Sequence, residues 1–217
     1  CTQVGLRKMI NPHIENYCIN QSSSLQNVLD EIERYTFLKV QMPQMISGKL
    51  QGQILSMISK IKQPRIILEV GTFTGYATIC LFSGLQDKGK LYTIDINAEL
   101  EEDVKSFFLK ADVSRGTEYI IGNAINVIPT ITEQFDLVFL DADKKKYVEY
   151  LDILVPKMNP GALLITDNVL WKGKVAAEIK DSDTLAIHNF NIAVLNHPEL
   201  EVVILPIRDG ISIARKK

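Results

Sequence analysis

The fold is decided by the stretch Arg65-Ile-Ile-Leu-Glu-Val70 and the turn Gly71-Thr-Phe-Thr-Gly75 that follows it. The first part is a largely apolar run without alternation, which indicates a strand buried on both faces and therefore a parallel sheet. The two glycines let the backbone of the next turn approach a ligand closely. This stretch predicts the first strand of an α/β domain, with a binding turn at its carboxyl end.

Strands and helices alternate outward from this stretch. Further parallel strands are predicted at 90–95, 118–121, 135–141 and 161–168, with helices at 74–86, 98–110, 124–130, 144–157 and 183–196. The turn-rich segment 206–210 separates two apolar runs, 201–205 and 211–215, which predicts an antiparallel hairpin at one edge of the sheet. Two more helices, at 25–35 and 47–61, are predicted before the first strand.

Bulk properties exclude several classes of protein. A length of 217 residues suits one α/β domain, and the net charge of −2 provides no basic field for nucleic acid or an anionic membrane. No apolar run approaches the roughly 20 residues that span a bilayer. The three cysteines, Cys1, Cys18 and Cys80, have no CxxC spacing, which argues against a disulfide framework or a zinc site. This usage favours a cytoplasmic location.

Acidic and amide side chains stand at the ends of four predicted strands. They are Glu69, Asp95, Asp141, Asp167 and Asn168. Ligands of open α/β sheets bind outside the carboxyl ends of the strands, so we expect these side chains to converge on one cleft. Crowded carboxylates repel one another, and the pattern therefore predicts a cationic group among them.

One half of the cleft has the features of a nucleoside site. The spacing of Gly71 and Gly75 is G-x-x-x-G, so the dinucleotide fingerprint G-x-G-x-x-G is absent. Asp95 ends the second strand, where a carboxylate can accept hydrogen bonds from both ribose hydroxyls. The segment 122–124 follows the third strand and is expected beside an adenine ring. The pattern predicts a bound nucleoside without a pyrophosphate.

The other half has the features of a metal site. Asp141, Asp167 and Asn168 offer oxygen ligands from two strand ends, the type that Mg²⁺ and Ca²⁺ prefer. Lys144 follows Asp141 by three residues, and a neighbouring cation would favour loss of its proton, so that it could act as a base. Taken singly, each Asp or Asn is also typical of a turn or a helix cap, and Lys144 of a solvated surface.

Four segments carry a resemblance to a known family: 68–76, 139–144, 166–173 and the ending 205–216. They resemble the cation-dependent class I S-adenosylmethionine-dependent O-methyltransferases, specifically the caffeoyl-CoA and catechol O-methyltransferase family in its bacterial form. The resemblance implies a Rossmann-like fold with a seven-stranded, mostly parallel sheet, an antiparallel C-terminal hairpin and helices on both faces. It also implies a homodimer in which helices within 1–62 form the acceptor and dimer region, while 63–217 form the cofactor-binding core.

The resemblance further implies roles for individual residues. The S-adenosylmethionine site would comprise Met45, Ser47, Glu69, Gly71, Thr72, Ala77, Asp95, Ala124, Asp141, Asp143 and Tyr150. Asp141, Asp167 and Asn168 would hold Mg²⁺ or Ca²⁺, Asp141 and Lys144 would be catalytic, and Trp171 and Lys172 would contact a catechol-like acceptor. The chain departs from the family at two positions: Ala77 replaces a common serine, and Lys172 replaces an asparagine of the plant members.

Three alternative functions stay open at this point. A nicotinamide-dependent oxidoreductase is disfavoured by the missing G-x-G-x-x-G motif. A noncatalytic nucleoside-binding protein is disfavoured by the metal set beside Lys144. A nucleic-acid methyltransferase is disfavoured because the slightly acidic chain has no basic stripe.

Overall fold

The structure is a computed structural model that describes residues 11–179 and 181–217. Its centre is a seven-stranded sheet with the order β3-β2-β1-β4-β5-β7-β6. The strands, in chain order, are β1 Ile66–Val70, β2 Lys90–Asp95, β3 Thr117–Ile121, β4 Phe135–Leu140, β5 Met158–Thr166, β6 Leu200–Leu205 and β7 Ile211–Lys216. The first five are parallel, and β7 is antiparallel to both β5 and β6. The predicted fold class is confirmed, including the C-terminal hairpin.

Eight α-helices surround the sheet within the described residues. They are α1 Pro12–Asn20, α2 Val28–Lys39, α3 Gly48–Lys62, α4 Tyr76–Phe82, α5 Glu101–Lys110, α6 Ala124–Val127, α7 Tyr147–Leu154 and α8 Ser182–Asn196. Short 3-10 helices include Pro43–Met45, Lys144–Lys146 and Trp171–Ala176. No helix of 11–179 or 181–217 is long and apolar enough to span a lipid bilayer.

Each face of the sheet carries its own hydrophobic layer. Strand side chains alternate between the faces, so Leu68 and Val70 pack toward α6, α7 and α8. Ile67 and Phe139 pack on the opposite face with α2 to α5. Glu69 has the same parity as Ile67, and its side chain therefore enters the second layer, where it is fully buried.

Several predicted boundaries differ from the structure. The helix α1 was not predicted; it buries none of its residues, although Ile14, Tyr17 and Cys18 recur at helical spacing. The helix predicted at 25–35 begins at Val28, with Asn27 rather than a serine of 22–24 as its N-cap. The first ten residues of the predicted extension 1–62, including Cys1, lie outside the described residues; the division of the chain at residue 62 stays a prediction.

The predicted start of β5 was also wrong. A strand was predicted from 161, but β5 begins at Met158, which pairs with Phe135 of β4. The pairing then shifts register before Leu137 meets Leu163. This irregular stretch accommodates Pro160 and a positive φ at Gly161, which a regular ladder would exclude.

Candidate active site

The ends of the central strands are held side by side by backbone hydrogen bonds that continue past the strands. The amide of Gly71 donates to the carbonyl of Ile94 at 2.9 Å, and the amide of Asp141 donates to that of Val70 at 2.9 Å. The amide of Asp167 likewise donates to Leu140 at 3.1 Å. The strand-end residues singled out by the sequence are therefore immediate neighbours along one edge of the sheet.

A cavity of about 880 Å³ opens at this edge. Twelve of the sixteen predicted site residues line it: Met45, Gly71, Asp95, Ala124, Asp141, Asp143, Lys144, Tyr150, Asp167, Asn168, Trp171 and Lys172. The volume is typical of a site for a small molecule or cofactor. A smaller cavity of about 500 Å³ lies between Lys60 and Asp87 and contains none of the predicted residues.

The other four predicted residues lie behind the wall of the cavity. Ser47, Glu69, Thr72 and Ala77 are all buried and do not line it. For Glu69 the cause is strand parity, which directs the carboxylate toward α4 rather than out of the strand end. One of its oxygens, Oε2, accepts hydrogen bonds from the hydroxyls of Thr78 and Thr93, while Oε1 is buried and has no hydrogen-bond partner among the described residues. Burial raises the pKa of Glu69 to about 8.

On the nucleoside side, the turn after β1 is pinned to the end of β2. The amide of Phe73 donates to Oδ2 of Asp95 at 2.7 Å, and the amide of Asn97 donates to Oδ1 at 2.9 Å. These bonds fix the carboxylate at the cavity wall and leave each oxygen further lone pairs. Gly71 has a φ of +103°, and an added Cβ would lie 2.0 Å from the carbonyl oxygen of Asp141. Only glycine fits between the two strand ends.

On the predicted metal side, two carboxylates lie close together. Asp167 is buried, and both its desolvation and the nearby charge of Asp141 raise its pKa to about 6. Nζ of Lys144 lies 2.7 Å from Oδ1 of Asp141. Asn168 follows with a φ of +58°, a conformation that Asn tolerates better than most residues.

The donor chemistry of this cluster fits a hard divalent cation, because two carboxylates and an amide supply oxygens only. The part of the chain that the structure describes has no group of three or more His, Cys, Asp or Glu side chains able to hold a metal. The amide of Asn168 would therefore be the third protein ligand.

The loop that carries Asn168 is tied to the hairpin turn between β6 and β7. The amides of Val169 and Leu170 donate to the carbonyls of Gly210 and Asp209, at 3.1 and 2.9 Å. The amide of Lys172 donates to the carboxylate of Asp209. Trp171 and Lys172 both have positive φ, at +47° and +58°. These bonds hold a strained loop in the wall of the cavity.

Sequence reasoning assigned no role to three polar residues at this site. Arg208 and Asp209 line the cavity from the hairpin turn. Gln51 lies fully buried on α3, and its amide contacts both Asp167 and Arg208. A signal existed for Gln51, because it shares the buried face of its helix with Leu55 and Ser59. A large polar side chain at such a position requires hydrogen-bond partners in the interior.

Comparison with known proteins agrees with this geometry. The sequence model of the O-methyltransferase family matches residues 19–217 of the chain. A caffeoyl-CoA O-methyltransferase of Petroselinum crispum is 31% identical over 179 residues, which are 76% of this chain and 74% of that protein. A catechol O-methyltransferase of Mycobacterium tuberculosis is 31% identical over 162 residues, 74% of each chain.

Solved structures give the same result. The O-methyltransferase TomG from Streptomyces achromogenes, in complex with SAM, superposes with a TM-score of 0.87 at 26% identity and covers 94% of this chain and 96% of its own. An O-methyltransferase from Bacillus cereus in complex with SAH has a TM-score of 0.87 at 25% identity, with coverage of 94% and 97%.

Proposed function

The chain belongs to the family of S-adenosylmethionine-dependent O-methyltransferases that includes the caffeoyl-CoA and catechol enzymes, and we propose that it methylates a hydroxyl of a catechol-like or other small phenolic acceptor beside a divalent cation. One observation carries the proposal: Asp141, Asp167 and Asn168 stand together with Lys144 in a cavity whose other side carries Gly71 and Asp95. A nucleoside site and a cation site thus share one space.

The nucleoside side would bind the methyl donor. The Asp95 carboxylate is positioned by two backbone amides to accept hydrogen bonds from ribose hydroxyls. Gly71 leaves room for the donor to lie against the backbone, and Ala124 and Tyr150 form further wall. Ser47, Glu69, Thr72 and Ala77 would support this side from behind, with Met45 and Asp143 at the cavity surface.

The cation side would bind the acceptor. Asp141, Asp167 and Asn168 would hold Mg²⁺ or Ca²⁺, which supplies positive charge beside the acceptor oxygen. Trp171 and Lys172 line the same part of the cavity, where an aromatic ring can pack against the indole. Two neighbouring hydroxyls on the acceptor suit such a site, since they present a chelating pair of oxygens.

The reaction needs little covalent chemistry from the protein. Methyl transfer would form a bond from the acceptor oxygen to the methyl carbon and break the carbon–sulfur bond, and Lys144 in its neutral amine form would take up the hydroxyl proton. Positioning and charge placement supply most of the acceleration in such a displacement. Lys144 lies within hydrogen-bond distance of Asp141, so it is already directed toward the predicted cation site.

The test is methyl transfer from S-adenosylmethionine to a panel of dihydroxybenzenes, with Mg²⁺, with Ca²⁺ or with EDTA, detected as S-adenosylhomocysteine. We expect product that disappears with EDTA and returns with metal. Turnover that EDTA leaves unchanged would contradict the cation site, and cofactor binding without turnover on any acceptor would favour a noncatalytic nucleoside-binding protein. The predicted homodimer is tested separately by light scattering.

A further inference from the structure

A hydrogen-bonded chain connects three separate segments at the cation side of the cavity. Gln51 on α3 donates from Nε2 to Oδ2 of Asp167 at 2.8 Å. Its Oε1 accepts from Nη1 of Arg208, in the hairpin turn, at 2.9 Å. The Nη2 of Arg208 donates to the carbonyl of Ile46 at 3.0 Å. Gln51 thus joins Asp167, which is 116 positions away in the sequence, to Arg208, which is 157 positions away.

The chemistry of the two neighbours permits only one orientation of the Gln51 amide. A guanidinium group only donates hydrogen bonds, and an ionised carboxylate only accepts them. The amide oxygen must therefore face Arg208, and the amide nitrogen must face Asp167. Arg208 is itself held by the Ile46 carbonyl, so the amide cannot rotate without breaking a charge-assisted bond.

Asp167 is held from both sides as a result. Its Oδ1 accepts from the amide of Asn168 at 2.7 Å, while Oδ2 accepts from Gln51. The hydroxyl of Tyr147 also donates to its backbone carbonyl at 3.2 Å. One oxygen tied to the backbone and the other to Gln51 fix the plane of the carboxylate, and Asp167 is one of the residues that line the cavity.

A purely packing role does not account for a glutamine here. Gln51 is fully buried, on a helix face whose neighbours include Leu55. Burying an amide costs free energy unless both of its ends are hydrogen-bonded, whereas Leu or Met would fill the same space without that cost. The presence of an amide with both ends paired indicates a role in the polar chain.

We propose that Gln51 is a positioning residue for Asp167: locked by Arg208, its amide holds the carboxylate in the orientation that a divalent cation requires. The inference rests on the proposed function, because the cation is part of it. The cation site would then be formed in advance of binding, which lowers the cost of ordering its ligands. Residues that orient metal ligands in this way typically contribute about 10- to 100-fold to metal affinity or activity.

The first test measures cation binding rather than turnover. Mg²⁺ is titrated into protein saturated with S-adenosylhomocysteine, by calorimetry and by the fluorescence of Trp171, the single tryptophan, which lines the cavity. Gln51→Met keeps the volume of the side chain and removes both hydrogen bonds. We expect Mg²⁺ affinity to fall at least tenfold, while affinity for S-adenosylhomocysteine changes less than threefold.

The matched control is Gln53→Met, the same substitution two residues further along the same helix. Gln53 donates to the carbonyl of Ser23 and does not line the cavity, so this variant should bind Mg²⁺ as wild type does. Gln51→Met with Mg²⁺ affinity within twofold of wild type would overturn the positioning role alone. Wild-type protein that binds S-adenosylhomocysteine but no divalent cation would overturn the proposed cation site, and this inference with it.

A second variant separates positioning from packing in a folded protein. Gln51→Glu keeps the shape and the acceptor for Arg208, but it turns an oxygen instead of an N–H toward Asp167. A positioning role predicts at least a tenfold loss of kcat at saturating Mg²⁺, with the KM for S-adenosylmethionine changed less than threefold. Gln51→Glu that turns over as wild type would show that only the volume at this position matters and would overturn the proposal.

Discussion

Nζ of Lys144 lies 2.7 Å from Oδ1 of Asp141, and both side chains are about four-fifths buried, with exposed fractions of 21% and 19%. Asp141 directly follows β4, and Lys144 begins the 3-10 turn that Asp143 caps, which brings the two side chains together. The predicted base therefore contacts an oxygen atom that the predicted cation would also bind. A cation bound at Asp141 would compete with the ammonium for that oxygen.

The role of Lys144 as the base predicts a loss of turnover with little loss of binding. We expect Lys144→Ala to lower kcat by about 10²- to 10⁴-fold, the usual contribution of a general base. Affinity for S-adenosylhomocysteine, measured by calorimetry, should change less than threefold. Lys144→Arg keeps a positive charge beside Asp141 but holds its proton, so it should be as slow as the alanine variant.

The control for this series is Lys105→Ala. Lys105 pairs with Glu101 on the exposed face of α5 and does not line the cavity, so its loss should leave kcat unchanged. If Lys144→Arg retained wild-type turnover, positive charge rather than proton transfer would be the contribution of Lys144, and the base would have to be sought elsewhere.

The carboxylate of Asp167 is expected to raise the affinity for Mg²⁺ and to lower the stability of the cation-free protein. Asp167→Asn removes a buried charge beside Asp141 and keeps one oxygen acceptor, so it retains one of the two hydrogen bonds that the carboxylate accepts from Gln51 and the amide of Asn168. We expect Mg²⁺ affinity to fall at least tenfold by calorimetry, while the cation-free protein melts at a higher temperature than wild type, because charge repulsion at functional sites is commonly destabilising. The control Asp152→Asn, on the exposed face of α7, should change neither quantity. A variant that melts lower and still binds Mg²⁺ would contradict both expectations.

The parts of this site that sequence could predict are those whose position follows from strand topology. Asp95, Asp141 and Asp167 come directly at or after buried strands, and parallel strands bring their carboxyl ends to one edge. Glu69 shows the limit of that rule. It stands one residue before its strand ends, so side-chain alternation turns it into the core instead of the cavity.

Contacts between distant segments could not be predicted from local pattern. Gln51 reaches Asp167 because α3 packs beside the strand ends, and Arg208 reaches Gln51 because the hairpin turn folds back over them. Neither residue has a spacing or a neighbour in sequence that identifies its partner. The same holds for the bond from Lys172 to Asp209, which depends on how two loops meet.

Substitution of Gly71 should destabilise the fold because a side chain there would clash with neighbouring backbone, in addition to the strain of a positive φ. A Cβ at this position would lie 2.0 Å from the carbonyl oxygen of Asp141, and that oxygen belongs to the backbone at a central strand end. We expect Gly71→Ala to lower the free energy of unfolding by about 3 kcal/mol or more, measured by urea denaturation. The matched control is Gly161→Ala, which also has a positive φ, but whose nearest atom is 3.8 Å away on a flexible arginine. It should cost about 1–2 kcal/mol, and equal losses in the two variants would contradict the steric argument.

The raised pKa of Glu69 should make the stability of the folded protein depend on pH. Burial, opposed by the hydroxyls of Thr78 and Thr93, raises its pKa from 4.5 to about 8 in the folded state. Because the folded protein binds the proton more tightly, this contribution to stability is full below pH 4.5 and is lost as pH rises toward 8. Glu69→Gln is always neutral and keeps an oxygen for both hydroxyls. We expect its melting temperature to fall less than that of wild type between pH 5 and 8, measured without cofactor, while Glu118→Gln at a half-exposed position follows wild type. Melting temperatures of Glu69→Gln that ran parallel to those of wild type across this range would contradict the raised pKa of Glu69 in the folded protein.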